Sequence, residues 1–238
     1  MKLREREDAF AQAIAAASAG GEAHRGAGTL FYVGRFELIE FALVLEPEEP
    51  LRLARKIFYA GMNALADTLS MLAPPEKPIT FRYPDALCFD GALVGGARLG
   101  VPADATEDMA PDWLVFGAMV RAGGLRISET GLMPEITTLD DEGFEAWEPA
   151  EFSASFARHF MVAVDAWHEG GMRRIAPDYL ARLEGKAKEV RHGIDENGDL
   201  LIDATTGRQR TDFTAALRRA QWYDPLLNEP RSDLGAGA

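Results

Sequence analysis

The stretch FRYPDALCFDGALVGGARL, residues 81–99, decides the fold. It reads as two short strands folded back on each other, and Gly95-Gly96 interrupts the second. Glycine weakens a strand interior, so the pair marks a bulge, a close backbone approach to a ligand, or simple tight packing. The only charges nearby are Arg82, Asp85, Asp90 and Arg98. A guanidinium beside backbone N–H groups suits a carboxylate or phosphate, and in an acidic protein Arg98 serves equally in a surface ion pair.

More strands lie on either side. GTLFYVGRFELIEFALVLEP, residues 28–47, alternates and is rich in β-branched and aromatic residues, which predicts two antiparallel strands with Gly34-Arg35 between them. Ile79 to Tyr83, Ala86 to Phe89, Leu93 to Leu99 and Trp113 to Ala122 complete the set. Helices are expected over the alanine-rich residues 5–19, stopped by Gly20-Gly21, and from Pro50 to Leu72, where Leu53, Ile57, Ala60, Ala64 and Leu65 recur at helical spacing before Pro74-Pro75. A third runs from Pro149 to His168, its stripe of Phe152, Phe156, Phe160, Val164 and Trp167 marking a core face.

Strands interleaved with two long helices indicate an α+β domain, a mixed or antiparallel sheet with helices on one face. Gly170-Gly171 followed by Pro177 places a boundary between a main domain, 1–170, and a small C-terminal α+β domain, 171–238. That domain should hold a short helix from Tyr179 to Lys188, a hairpin around Asn197-Gly198, a last helix from Thr211 to Trp222 and a disordered tail, SDLGAGA.

Composition bounds the function. With 238 residues and 47% hydrophobic content, the chain can pack a core unaided by disulfides. A single cysteine, Cys88, excludes an internal disulfide, fits a reducing cytoplasm, and reads as a buried structural thiol because no adjacent cation would lower its pKa. No signal peptide or membrane-length apolar run is visible, so cytoplasmic location is expected and a membrane partner is not. The net charge of -13 opposes nucleic-acid binding.

Several familiar sites are excluded. DENGDLLID, from Asp195, places acidic groups at alternate positions, but Leu200 stands where a calcium loop needs glycine and Thr206 where it needs glutamate. The histidines His24, His159, His168 and His192 show no metal spacing, and no nucleophile elbow is present. No metal site is therefore assigned.

Taken together the motifs resemble the catalytic domain of the biotin protein ligase and lipoate protein ligase superfamily. That family carries a Lys-Trp-Pro-Asn-Asp strand, a catalytic lysine seven residues on in a Lys-x-x-Gly strand, and a hydrophobic-Gly-x-Gly-x-Asn strand. RYPDALCFDGALVGG aligns without a gap, placing Arg82, Tyr83 and Pro84 at the first three positions, Asp85 at the asparagine and Gly96 at the glycine. WLVFGAMVRA is similar to the later strand with Gly117 at its first glycine, and HGIDENGDLLI to a hairpin of the small C-terminal domain of biotin ligases.

The resemblance implies ATP and magnesium as cofactors, a small carboxylic acid of the biotin, lipoate or fatty acyl type as substrate, and a carrier-domain protein as acceptor. It implies a ligand site at Gly34, Arg35, Asp85, Gly95, Gly96, Arg98 and Gly117, with Gly34-Arg35 all that remains of the adenylate loop. The departure is Leu93, which occupies the lysine position. A fixed cation stabilises charge that develops during adenylation, and leucine cannot donate. Two readings follow: an altered enzyme in which Arg35 and Arg98 supply the charge for acyl or adenylyl transfer, or a non-catalytic protein that keeps a carboxylate or nucleotide pocket.

Overall fold

The structure, a computed structural model, describes residues 1–75, 77–124, 135–145, 148–185, 190–205 and 207–232. The main-domain strands are β1 (Lys2–Leu3), β2 (Leu30–Val33), β3 (Leu38–Leu45), β4 (Ile79–Arg82), β5 (Ala86–Phe89), β6 (Ala92–Gly100) and β7 (Leu114–Arg121). They form one seven-stranded sheet in the order β1-β2-β3-β7-β6-β5-β4, antiparallel apart from the parallel pair β1/β2. The α+β class and mixed sheet are as expected.

The central strands carry side chains that must be buried on both faces, which is why LIEFALVL and LVFGAMVR are almost wholly apolar. One face is covered by α3 (Ile57–Ser70) and α4 (Pro149–Gly170). Phe152, Phe156 and Phe160 of the predicted stripe enter this core, with Phe156 stacked on Phe116 at 5.5 Å and packed against Phe41 at 4.4 Å. The other face is covered at one end by α1 (Ala9–Ser18), whose Ala9, Ala13 and Ala17 lie against Phe31, Ala42, Val44 and Val115. Alanines at this spacing let the helix sit close to the strands.

The 81–99 stretch folds as read. Asp90 and Gly91 both take positive φ, 50° and 82°, as a two-residue hairpin turn requires. Cys88 pairs with Leu93 and Leu87 with Gly95, so Val94 is an extra residue and β6 bulges there. The bulge turns Leu93 to the same face as Gly96 and Arg98. Segment 135–137 uses its backbone: the Leu93 N–H donates to the Glu135 carbonyl at 2.8 Å, and the Thr137 N–H to the Leu93 carbonyl at 3.0 Å.

Element boundaries differ from the expectation in four places. The helix over Pro50 to Leu72 is two helices, α2 (Leu51–Ala54) and α3, because the chain breaks at Arg55-Lys56 to send two cations toward the C-terminal region. Lys56 Nζ donates to the Glu196 carbonyl at 2.7 Å and Arg55 to the Thr214 hydroxyl. Pro177 does not open a new segment. It lies inside α5 (Met172–Arg182), where burial of Ile175 and Tyr179 outweighs one missing helix N–H. The turn into α5 falls at Gly171, with φ 56°, and residues 186–188 of the expected 179–188 helix lie outside the described residues.

The predicted hairpin forms from β8 (Arg191–Ile194) and β9 (Leu200–Ala204), but over a five-residue loop whose Asp195 carboxylate accepts the N–H groups of Asn197 and Asp199. A third strand, β10 (Gly207–Thr211), joins it unforeseen, since its five residues are all exposed and carry no apolar alternation. The last helix, α6 (Phe213–Leu217), is shorter than Thr211 to Trp222 because the chain then turns onto the sheet. There β11 (Tyr223–Asp224) and β12 (Glu229–Pro230) form a minimal hairpin. The tail beyond Ser232 lies outside the described residues. Among those described, no helix is long and apolar enough to cross a membrane.

Packing between α3 and the sheet is tightest at Gly61, where a Cβ would stand 2.3 Å from the buried Phe116 ring. Phe116 is held by Phe58, Phe156 and Phe160 and has little room to yield. Gly61→Ala should therefore destabilise by roughly 1–3 kcal/mol despite alanine's better helix propensity. Urea unfolding measures it; equal or greater stability would mean that the ring relocates freely.

Candidate functional site

The face of the sheet left uncovered by α3 and α4 carries a row of facing residues. Registers set Ala86 opposite Gly96, Gly96 opposite Met119 and Met119 opposite Glu40, with Leu38 opposite Arg121 one step away. Side chains directly opposite lie close enough to act together. The row thus runs from β5 across β6 and β7 to β3.

At the β5 end lies a cavity of about 450 Å³. Its walls include Pro84, Asp85, Ala86, Leu93 and Trp222, and α6 contributes Ala215 and Ala216. Three guanidiniums, Arg82, Arg210 and Arg219, stand around it. Arg82 donates to Glu184 at 2.8 Å and to the Gly91 carbonyl at 2.7 Å, and Arg210 to Asp199 at 2.7 Å. Arg219, exposed at the rim, makes no ion pair among the described residues. The lysine position is wholly apolar, since Leu93 is buried with Ala86, Cys88, Met119 and Trp222.

Asp85 is the unusual group here. Burial pushes its pKa up to about 7, and the nearby Trp222 indole partly opposes this. That indole does not reach hydrogen-bond geometry: Asp85 Oδ2 and Trp222 Nε1 are both buried without a partner. Glu40, also buried, is better served. It accepts from the Ala9 N–H of α1 at 2.7 Å and from Arg35 at 3.2 Å, although burial still raises its pKa. Burial likewise pushes the Cys88 thiol up to about 12, in keeping with a structural role.

At the β3 end a second cavity, about 300 Å³, is lined by Arg35, Leu38, Arg121, Gly123, Gly124 and Glu229 among others. Arg121 donates to the Pro230 carbonyl at 2.7 Å, and Arg35 lies 3.7 Å from the Glu229 carboxylate. Arg35 Nε and Arg121 Nη1 are buried with no partner.

The predicted site residues are therefore distributed along the row. Asp85 lines the first cavity and Arg35 the second. Gly96 lies between them under Trp222, whose ring atoms would stand 2.5 Å from a Cβ there. Gly117 lies under Phe10 in the same way, and Arg98 is held between the rings of Phe10 and Tyr223 at 4.4 and 4.2 Å, with Asp8 at 3.8 Å. Gly95 is directed at the β7 backbone and Gly34 at the Lys2 side chain, so neither faces a cavity.

Sequence reasoning missed Glu40, Arg121, Arg219 and Trp222. Glu40, a lone carboxylate inside LIEFALVL, and Arg121, closing LVFGAMVR, were visible as charges in apolar strands. Nothing local to Arg219 or Trp222 announces that the chain returns to the sheet.

Residues 1–181 match the sequence model of the "Biotin/lipoate A/B protein ligase family". A Biotin–[acetyl-CoA-carboxylase] ligase from Paracoccus denitrificans is 23% identical over 201 residues, 79% of this chain and 82% of that protein. A crystal structure of a biotin protein ligase-like protein of unknown function from Silicibacter superposes with TM-score 0.74 at 26% identity, covering 91% of this chain and 95% of that one. Biotin protein ligase from Aquifex aeolicus, solved with biotin and ATP, gives TM-score 0.64 at 16% identity, covering 88% and 94%. That last likeness is one of fold.

Asp85 makes stability depend on pH. Its folded pKa lies above the ordinary 3.8, so the folded state favours the neutral acid, and stability is lost as pH rises from about 4 through about 7. One pKa unit corresponds to about 1.4 kcal/mol, so the cost at pH 8 is on the order of a few kcal/mol. Asp85→Asn should gain stability over wild type at pH 8 and much less at pH 4. Urea titrations at the two pH values decide, and a gain independent of pH would sink the assignment.

Proposed function

The chain belongs to the biotin/lipoate A/B protein ligase family, and we propose that within it this protein binds a small carboxylic acid of the biotin, lipoate or fatty acyl type without activating it. The observation that carries this reading is the cavity beside Leu93. It combines an apolar floor of Pro84, Ala86, Leu93 and Trp222 with the exposed guanidinium of Arg219 at its rim. An apolar acid can bury its body on such a floor and leave its carboxylate to Arg219. A neutral Asp85 would tolerate this. Its ionised form would repel the carboxylate, so binding should weaken above pH 7.

Activation with ATP and magnesium fits these residues poorly. Leu93 supplies no positive charge at the floor, and of the guanidiniums around the cavity Arg82 and Arg210 are held by Glu184 and Asp199 while Arg219 stands at the rim. Arg35 lines the second cavity, and Arg98 is held by two rings and Asp8, so neither cation of the altered-enzyme reading lines the cavity beside Leu93. A carrier-domain acceptor has no part in a protein that forms no activated acyl group.

Native mass spectrometry with biotin, lipoate and octanoate, and ATP–pyrophosphate exchange with each acid, test the reading together. One acid should bind, while exchange falls about 10²- to 10³-fold or more below a lysine-bearing ligase, the usual loss for one missing donor to a developing oxyanion. Exchange at the rate of such a ligase would overturn the proposal.

A further inference from the structure

Between the two cavities lies a segment of this chain. Trp222 stands over Gly96, Met119 and Leu38, and the chain then runs through the β11/β12 hairpin to place Glu229 and Pro230 over Arg35 and Arg121. Among the described residues, four buried side-chain atoms without a hydrogen-bond partner lie along this path: Asp85 Oδ2, Trp222 Nε1, Arg121 Nη1 and Arg35 Nε. Native interiors leave few such groups, and each calls for an explanation. Asp85 and the Trp222 indole face one another, so the two groups that call for a partner from outside the segment are Arg35 Nε and Arg121 Nη1. Buried Glu40 holds Arg35 from below at 3.2 Å, and the Glu229 carboxylate, at 3.7 Å, is the second and exposed group of the kind a guanidinium takes.

We propose that residues 222–231 are a displaceable internal plug, in which Glu229 holds the place of an external oxyanion at Arg35 and Arg121 while Trp222 divides one continuous groove into two cavities. The proposal rests on the binding reading above and adds how that site is regulated. The plug is built to leave. Its two strands are two residues each, and Leu226 and Leu227 at its tip are 93% and 64% exposed. Trp222 and Pro230 anchor its two ends by burial, but residues 225–227 between them are exposed, and a short exposed ladder places a segment at the low-stability end of a fold. The strands beneath, β3 and β7, are buried along nearly their whole length and should not open with it. A small acid in the first cavity leaves the plug closed. An oxyanion at Arg35 and Arg121 competes with Glu229 and opens it.

Hydrogen exchange of the full chain, alone, with biotin and with inorganic pyrophosphate, tests this, alongside pyrophosphate titrations of wild type and Glu229→Gln. Without ligand, amides of residues 222–231 should exchange far faster than those of β3 and β7. Pyrophosphate should raise that exchange further, and biotin should not. Apparent affinity scales with the open fraction, so Glu229→Gln should bind pyrophosphate roughly tenfold more tightly. Trp222 emission should shift to the red on opening, a change that Trp222→Phe removes. Plug amides as protected as β3 and β7, pyrophosphate binding that leaves their exchange unchanged, or no pyrophosphate binding by either protein would each overturn the proposal. Plug opening by pyrophosphate without any biotin, lipoate or octanoate bound would instead remove only the acid-binding reading.

Discussion

The close approach at Gly96 is the contact on which the rest of the site depends. A Cβ there would meet both the Asp85 carbonyl at 2.4 Å and the Trp222 ring at 2.5 Å, so only glycine lets β5, β6 and the C-terminal segment converge. That carbonyl accepts the Ala97 N–H at 2.9 Å, which keeps β5 paired beyond the bulge at Val94. Without the bulge, Leu93 would face α3 and α4, and the first cavity would lose its floor. One small residue and one extra residue in β6 thus fix both the wall and the lid.

Charge is handled differently at the two ends of the row. Glu40 lies at the start of α1, where a carboxylate is favoured by the helix N-terminus, and it has the Ala9 N–H and Arg35 as partners. It knits α1 to β3. Asp85 has no such partner for Oδ2, and its raised pKa records the cost of leaving a carboxylate uncompensated in the interior. A structural group is placed like Glu40. Among the described residues Asp85, beside a cavity of about 450 Å³, has only the Trp222 indole near that oxygen.

The main sheet was legible because its strands are apolar runs separated by charged or glycine-bearing turns, while a bulge was one of the readings of Gly95-Gly96 and falls one residue earlier, at Val94. Pairing of β2 with β3 and of β5 with β6 followed from adjacency alone. The C-terminal third was harder for a physical reason: its contacts with the sheet depend on single side chains. Tyr83 accepts the Leu200 N–H, Tyr179 donates to the Pro84 carbonyl, and Trp222 reaches Gly96, each joining positions far apart in sequence. Periodicity reports which face an element buries, not which distant segment will cover it. Arg35 was legible as a cation, but its engagement by Glu229 was not.

Leu93 and Trp222 are best understood as one adaptation. Both belong to the cluster with Ala86, Cys88 and Met119, and the indole is buried partly because the residue beneath it is apolar. A lysine at position 93 would bring an ammonium into that cluster, where desolvation is costly and Asp85, the carboxylate on the β5 side of the cavity, would have to pair with it. The lysine is thus incompatible with the closed segment unless Asp85 ionises to meet it. Conversely, once leucine stands there, the indole gains an apolar seat and the groove can close. Leu93 and the Trp222 indole thus stabilise each other's burial, so the apolar residue at position 93 and the segment packed over it have a common physical cause.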